Sequence, residues 1–170
     1  MVCKTAPDPP LYPHPPHPEI LCLMEEILNS GSTLRIKVTG KSMSPFVCKN
    51  DIVNIKKVPF FSLKPGDLIL FKNCEGFLVL HRIIKKRPEK ENETVLITKG
   101  DALIIYDDPV KENNILGKIT GIKKNRWMGR SCKIDLERDS WKTIGLMITL
   151  FQRIRSALLW KKVQHKITGL

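Results

Sequence analysis

Three short segments hold side chains that could act together on a carbonyl group: GKSMSPFVCKND at residues 40–51, VLHRI at 79–83 and TKGDALIIYDD at 98–108. A hydroxyl becomes a useful nucleophile only when a base lies within hydrogen-bond reach, and that base works best with a carboxylate to orient it. The segments supply Ser42, then His81, then either Asp101 or Asp107. Acyl transfer is the chemistry such a set performs. Taken singly, each has an ordinary structural explanation. A serine in a turn bonds local backbone, a histidine in an apolar strand is a half-buried polar residue, and aspartates in KGD and DDP suit turns. Residue pattern alone does not choose between the two aspartates.

The elements that must position these side chains are legible in outline. From Leu34 to Lys124, short apolar stretches alternate with turn signals such as LKPGD and NCEG, whose glycine and proline tight turns require. Leu34, Ile36 and Val38 alternate with Arg35 and Lys37, and Phe77, Val79, His81 and Ile83 should share one face of a strand. Many short strands at this spacing predict a mainly antiparallel β domain. Gly40 frees the chain for a sharp turn before Ser42, and Pro45 keeps it extended afterwards. Ahead of the strands, Ile20, Leu21, Leu23, Met24, Ile27 and Leu28 recur at helical spacing, predicting a short helix over 19–29 that packs on the core. Behind them, Ile144, Met147, Ile148, Phe151, Ile154, Leu158 and Leu159 share a helical face from Trp141 onward. The chain thus divides into a proline-rich tail (1–17), a β domain with its N-terminal helix (18–126), and a linker with a basic amphipathic helix (127–170).

The 170 residues carry a formal charge of +12, with 42% hydrophobic and 27% charged side chains. That balance excludes a disordered chain and favours an anionic partner. After Asp139 there is no acidic residue, while Lys142, Arg153, Arg155, Lys161, Lys162 and Lys166 follow. A basic helix with an apolar face is suited to an anionic membrane surface, so residues 141–166 are a candidate for that contact; a helix docked on the β domain with its basic face in water is the other reading. Nucleic acid is not the expected partner, because only 6% of residues are aromatic and no basic–aromatic interleaving marks a stacking platform. The five cysteines form no C-x-x-C pair, so they read as simple thiols rather than metal ligands. His14 and His17 are too few to hold a metal, and no cofactor or metal is expected. No stretch reaches the roughly 18–20 apolar residues of a membrane span, and prolines occupy the place of a signal peptide's apolar region. The expected location is cytoplasmic or peripheral at a membrane.

In this order, the three segments resemble the type I signal peptidase superfamily, and most closely its branch shared by archaea, spore-formers and the eukaryotic endoplasmic reticulum. The resemblance rests on Gly40-Lys41-Ser42-Met43-Ser44-Pro45, on Asn50-Asp51 where the family has Gly-Asp, on His81-Arg82, on Thr98-Lys99-Gly100-Asp101 and on Asp107. It covers residues 34–122 and includes LKPGDLILF ahead of the histidine strand. It implies a signal-peptidase and SOS-repressor-like β fold and a serine endopeptidase acting on a leader or precursor peptide. Ser42 would attack the scissile carbonyl, and His81 would serve as base where the bacterial branch uses lysine. Asp107 falls at the third catalytic position, with Asp101 the neighbouring candidate. Met43 and Pro45 would contact substrate, Met43 packing beneath the nucleophile, and the Ser42 amide would help bind the oxyanion. Two other functions suit the same fold. A self-cleaving regulator would need an Ala-Gly or Cys-Gly cleavage site, and neither dipeptide occurs. A non-catalytic basic binding module would use the +12 charge alone.

Overall fold

The computed structural model describes residues 15–89, 93–125 and 131–167, with side chains given through Ser156 except at Ser131. Helix α1 (Pro18–Asn29) is followed by strands β1 (Leu34–Lys37), β2 (Ile52–Lys56), β3 (Leu68–Lys72), β4 (Leu78–Pro88), β5 (Thr94–Lys99), β6 (Ile115–Asn125) and β7 (Ser131–Asp135), and the long helix α2 (Asp139–Ile167) closes the chain. The architecture is mainly antiparallel β, as expected. The strands form one sheet in the order β1-β2-β6-β3-β4-β5, with β7 also paired to β6. Strand β6 is the spine. Its Lys118–Lys123 stretch pairs with β2, while β3 and β7 occupy successive lengths of its other edge. The residues from 127 to 140, read from sequence as linker, therefore contain a strand. Ser131–Asp135 finds a ready partner in the free edge of β6, and Ile134 adds to the core.

Register shifts at Asn54/Ile55, Leu70/Phe71 and Ile83/Lys85 interrupt the ladders. Such bulges bend and twist a sheet, and here they accompany burial on both of its faces. One core joins Met24 and Leu28 of α1 to Ile36, Val53, Ile55 and Ile119. The second gathers Leu63, Ile69, Phe71, Ile83, Leu96 and Val110. Along β4 the side chains alternate between these cores, so Leu78 and Leu80 enter the first while Val79 and Ile83 border the second. His81 follows the second set, its ring 6.3 Å from that of Phe71, which agrees with the shared face expected for Val79, His81 and Ile83. Helix α1 begins one residue earlier than predicted, with Pro18 at its first turn, where the missing N–H costs nothing. It packs through Met24 and Leu28, one turn apart, leaving Ile20 and Leu23 exposed.

The loop between β1 and β2 carries Ser42, and Asp51 fixes its far end. Asp51 is buried and accepts hydrogen bonds from the Cys48 amide (2.8 Å), the Asn125 amide (3.0 Å) and the Lys124 ammonium (2.8 Å). Lys124 also donates to the Phe46 carbonyl, so one cation pins both the loop and its anchor. Asn50 has φ +72°, the left-handed conformation that asparagine tolerates better than most residues, and it hands its amide to the Val38 carbonyl at 2.7 Å. Burial works to raise the Asp51 pKa, but Lys124 and the two amides outweigh it and hold the carboxyl below its ordinary value. The stabilisation is therefore complete above the unfolded carboxylate's titration and disappears as pH falls through the folded one. Asp51→Asn should lower stability by about 2 kcal/mol at pH 7. Urea midpoints should show the gap between wild type and variant closing as pH falls below about 4; a gap independent of pH would contradict this anchor.

Of the cysteines, Cys22, Cys48 and Cys132 are free thiols. Cys74 is disulfide-bonded, so the reading of the cysteines as simple thiols fails there. No described helix is long and apolar enough to cross a membrane. Among the described residues, no three histidine, cysteine or acidic side chains group as a metal site; His14 lies outside the described residues.

Candidate active site

A cleft of about 280 Å³ opens between the β1–β2 loop, the β3–β4 hairpin and the loop after β5. Ser42, Met43, His81 and Asp107 all line it. His81 comes from the middle of β4, opposite Ile69 of β3. It is 4% exposed, so its imidazole is held by packing as well as by hydrogen bonds. Its Nδ1 lies 2.6 Å from Asp107 Oδ2. An ionised carboxylate only accepts, so Nδ1 carries a proton, and in the neutral ring Nε2 keeps its lone pair. That is the tautomer a general base needs.

Asp107 is fixed in turn. Thr98, fully buried on the neighbouring strand β5, donates its hydroxyl to the same Oδ2 at 2.6 Å. The Asp107 amide donates to the Thr98 carbonyl at 3.0 Å. Sequence reading gave Thr98 no role, although it sits in the TKGD segment. The pairing of β4 with β5, with Ile83 opposite Thr98, is what brings it here, and the sequence does not print strand partners.

The free nitrogen of His81 faces the turn that carries Ser42. The link is Gly100. A Cβ on that residue would lie 2.8 Å from the Ser42 carbonyl oxygen and 2.9 Å from His81 Nε2, closer than real side chains approach. Glycine is therefore required where serine turn, histidine ring and KGD loop meet. The Ala102 amide donates to the same Ser42 carbonyl at 2.7 Å, joining loop to turn. Among the described residues the Ser42 hydroxyl has no hydrogen-bond partner, and neither has its amide. Both remain available to an incoming group. Met43, 3% exposed, packs into the first core under Ser42. Pro45 lies outside the cleft: it is exposed on the outer side of the turn, where its carbonyl faces the Cys48 thiol at 3.4 Å. Of the two residues expected to contact substrate, Met43 lines the cleft and Pro45 does not.

The two aspartates have separate partners. Asp101 makes a two-pronged pair with Arg82, Nε–Oδ1 at 2.8 Å and Nη2–Oδ2 at 2.7 Å, with both side chains under 5% exposed. Arg82 also donates to the Gly66 carbonyl at 2.9 Å and stacks over Phe46 of the serine turn at 4.8 Å. This ion pair braces the loops on either side of the histidine without touching its ring. Lys99 is buried too, but it turns away from Ser42. Its ammonium donates to Ser156 of α2 at 2.7 Å and lies 5.3 Å from the Tyr106 ring centre. Burial, aided by repulsion from Arg155 and opposed by Asp101, pushes its pKa down to about 8. The basic side chain that approaches the Ser42 turn is His81, through the contact at Gly100.

No protein-family model and no curated protein matches the chain.

Proposed function

We propose that the chain is a serine endopeptidase that cuts a leader or precursor peptide, with Ser42 as nucleophile and His81 as base. The observation that carries this reading is the 2.6 Å contact between His81 Nδ1 and Asp107, which in the neutral ring leaves the Nε2 lone pair toward the serine turn at the wall of a cleft. Ser42 Oγ attacks the scissile carbonyl carbon while Nε2 takes its proton. The carbonyl electrons move onto oxygen, and the unbonded Ser42 amide is a donor for the oxyanion. The tetrahedral intermediate collapses, the imidazolium gives its proton to the leaving amine, and an acyl-serine remains. Water, activated by the same Nε2, releases the acid. Asp107 holds the ring throughout, and Thr98 holds Asp107.

The cleft walls are mostly apolar, with Val38, Phe71, Phe77, Leu103 and Ile105 around the polar pair. Such walls suit apolar side chains of an extended peptide rather than charged ones. The test is to trap the acyl-serine. A fluorophosphonate should add its mass to the peptide containing Ser42, and to no other serine, and the adduct should vanish in His81→Ala. A peptide library incubated with the protein should show cleavage with the same dependence. Labelling that ignores His81, or persistence of cleavage after Ser42 is blocked, would reject the proposal.

A further inference from the structure

Helix α2 is docked the wrong way round for a helix of a water-soluble body. Surface helices bury their apolar stripe and wet the polar one. Here the inward stripe is Gly145, Thr149 and Gln152, all buried, with half-buried Ser156, spaced four, three and four residues, one helical face. It meets the body through polar and backbone contacts. Gly145 crosses Gly66 so closely that a Cβ on either would lie 3.0 Å from the other's backbone. Gln152 donates to the Asp101 carbonyl at 2.6 Å, and Lys99 donates to Ser156. The buried Oε1 of Gln152 has no partner among the described residues, so even this polar docking is not fully satisfied.

The opposite face is apolar and bare. Met147 is 64% exposed, Leu150 50%, Phe151 64% and Ile154 55%. At 3.6 residues per turn, Arg153 and Arg155 fall on the two flanks of that stripe. No acidic residue follows Asp139, and the helix runs on to Ile167 through Lys161, Lys162 and Lys166. The surface continues onto the loop after β5. The Ser156 hydroxyl lies 3.5 Å from the Ile104 carbonyl, Ile104 and Ile105 are themselves more than half exposed, and Ile105 lines the cleft. An apolar stripe flanked by cations on its own helix matches one environment: an interface with hydrocarbon beneath and negative headgroups beside it.

We propose that the outward face of α2, extended by Ile104 and Ile105, is a docking surface for an anionic lipid bilayer. It holds the mouth of the cleft at the membrane surface, with the helix lying in the interface. The polar underside of α2 grips the KGD loop while the apolar side faces lipid. A peptide emerging from or lying on the bilayer then reaches Ser42 without crossing open water.

The test uses the full chain and vesicles of phosphatidylcholine with about 30% phosphatidylglycerol, compared with phosphatidylcholine alone, by co-sedimentation at low salt. The protein should bind the anionic vesicles at least tenfold more tightly than the neutral ones. Phe151→Ser with Ile154→Ser keeps the charge and should weaken binding at least tenfold, with unchanged unfolding because both side chains are exposed. Arg153→Gln should cost about fivefold. Absent binding to anionic vesicles, or binding indifferent to the double substitution, overturns the proposal. So does a concentration-dependent dimer that the double variant dissolves, which would make the face a contact between copies, or a stronger salt-sensitive affinity for DNA. The measurement is independent of catalysis: Ser42→Ala should bind vesicles as wild type does, whether or not the peptidase reading stands.

Discussion

Replacing Ser42 with alanine is expected to lower the rate of peptide cleavage by about 10⁴- to 10⁶-fold while leaving the fold as it is. The two halves of that expectation have separate grounds. Ser44 and Cys48 of the same loop do not line the cleft that holds Ser42 and His81, so neither is placed to take over the acyl transfer. Yet among the described residues the Ser42 hydroxyl makes no hydrogen bond, so its removal strands no buried partner, and the unfolding free energy should move by no more than about 0.5 kcal/mol. His81→Ala should cut the rate to a similar level, and the double variant should be no slower than either single one. Groups that act as a unit are non-additive in this way, because once the nucleophile or its base is gone the other has no work left. Cleavage kinetics of the three variants, with urea unfolding of each, decide the matter. A Ser42→Ala protein within tenfold of wild type, or additive losses in the double variant, would remove the serine–histidine pair from the chemistry.

How much of this could be read from the chain alone differs between element and contact. Strand existence was legible because alternation and turn residues are local; LRIKV and LKPGD announce themselves. The placement of β7 was not, since a strand that adds to an edge is defined by its partner; Cys132 and Ile134 do alternate with Ser131, Lys133 and Asp135, but so short a run does not name the edge it joins. The orientation of His81 on its strand followed from period two, but the identity of its carboxylate did not. Asp101 and Asp107 both sit in turn-like segments a few residues beyond β5. Only the fold shows that the chain runs back past Thr98 at Asp107, whose amide joins the Thr98 carbonyl, whereas Asp101 turns under Arg82. Asn50 stands where the resembled family has glycine, and asparagine allows the positive φ that it adopts. Helix α2 was legible as a helix and as amphipathic, but not in its sense of docking. The hydrophobic pattern says which face avoids water; it does not say that the body will take the small polar face, as the Gly66–Gly145 crossing and the buried Lys99 require.

The division between the two aspartates gives the second large effect, a crossed pattern in which one residue governs rate and its neighbour governs stability. In Asp107→Asn, an amide replaces the carboxylate that receives both His81 Nδ1–H and the Thr98 hydroxyl. If its NH₂ faces the ring, Nδ1 must become the acceptor and the proton moves to Nε2, where it blocks uptake of the serine proton. If its carbonyl faces the ring, the tautomer survives but the imidazolium formed in the reaction loses its counter-charge. Either way cleavage should fall by up to about 10⁴-fold, with a smaller loss of stability. Asp101→Asn should do the reverse. It leaves the Arg82 guanidinium, 1% exposed, without a balancing charge in the protein interior. Breaking a buried pair from one side costs about 3–5 kcal/mol, a large part of a small domain's stability, while His81, Asp107 and Ser42 keep their own contacts. Removing both charges with Arg82→Leu and Asp101→Leu should recover part of that loss, because no uncompensated ion remains. Recovery stays incomplete, since the Gly66 carbonyl loses its Arg82 donor. Urea midpoints and cleavage rates measured on the same four proteins test both columns of the pattern. Should Asp101→Asn instead collapse the rate with stability intact, the buried pair acts on the histidine through the loop it braces, and Gly100, wedged between Ser42 and His81 Nε2, is the route by which it does so.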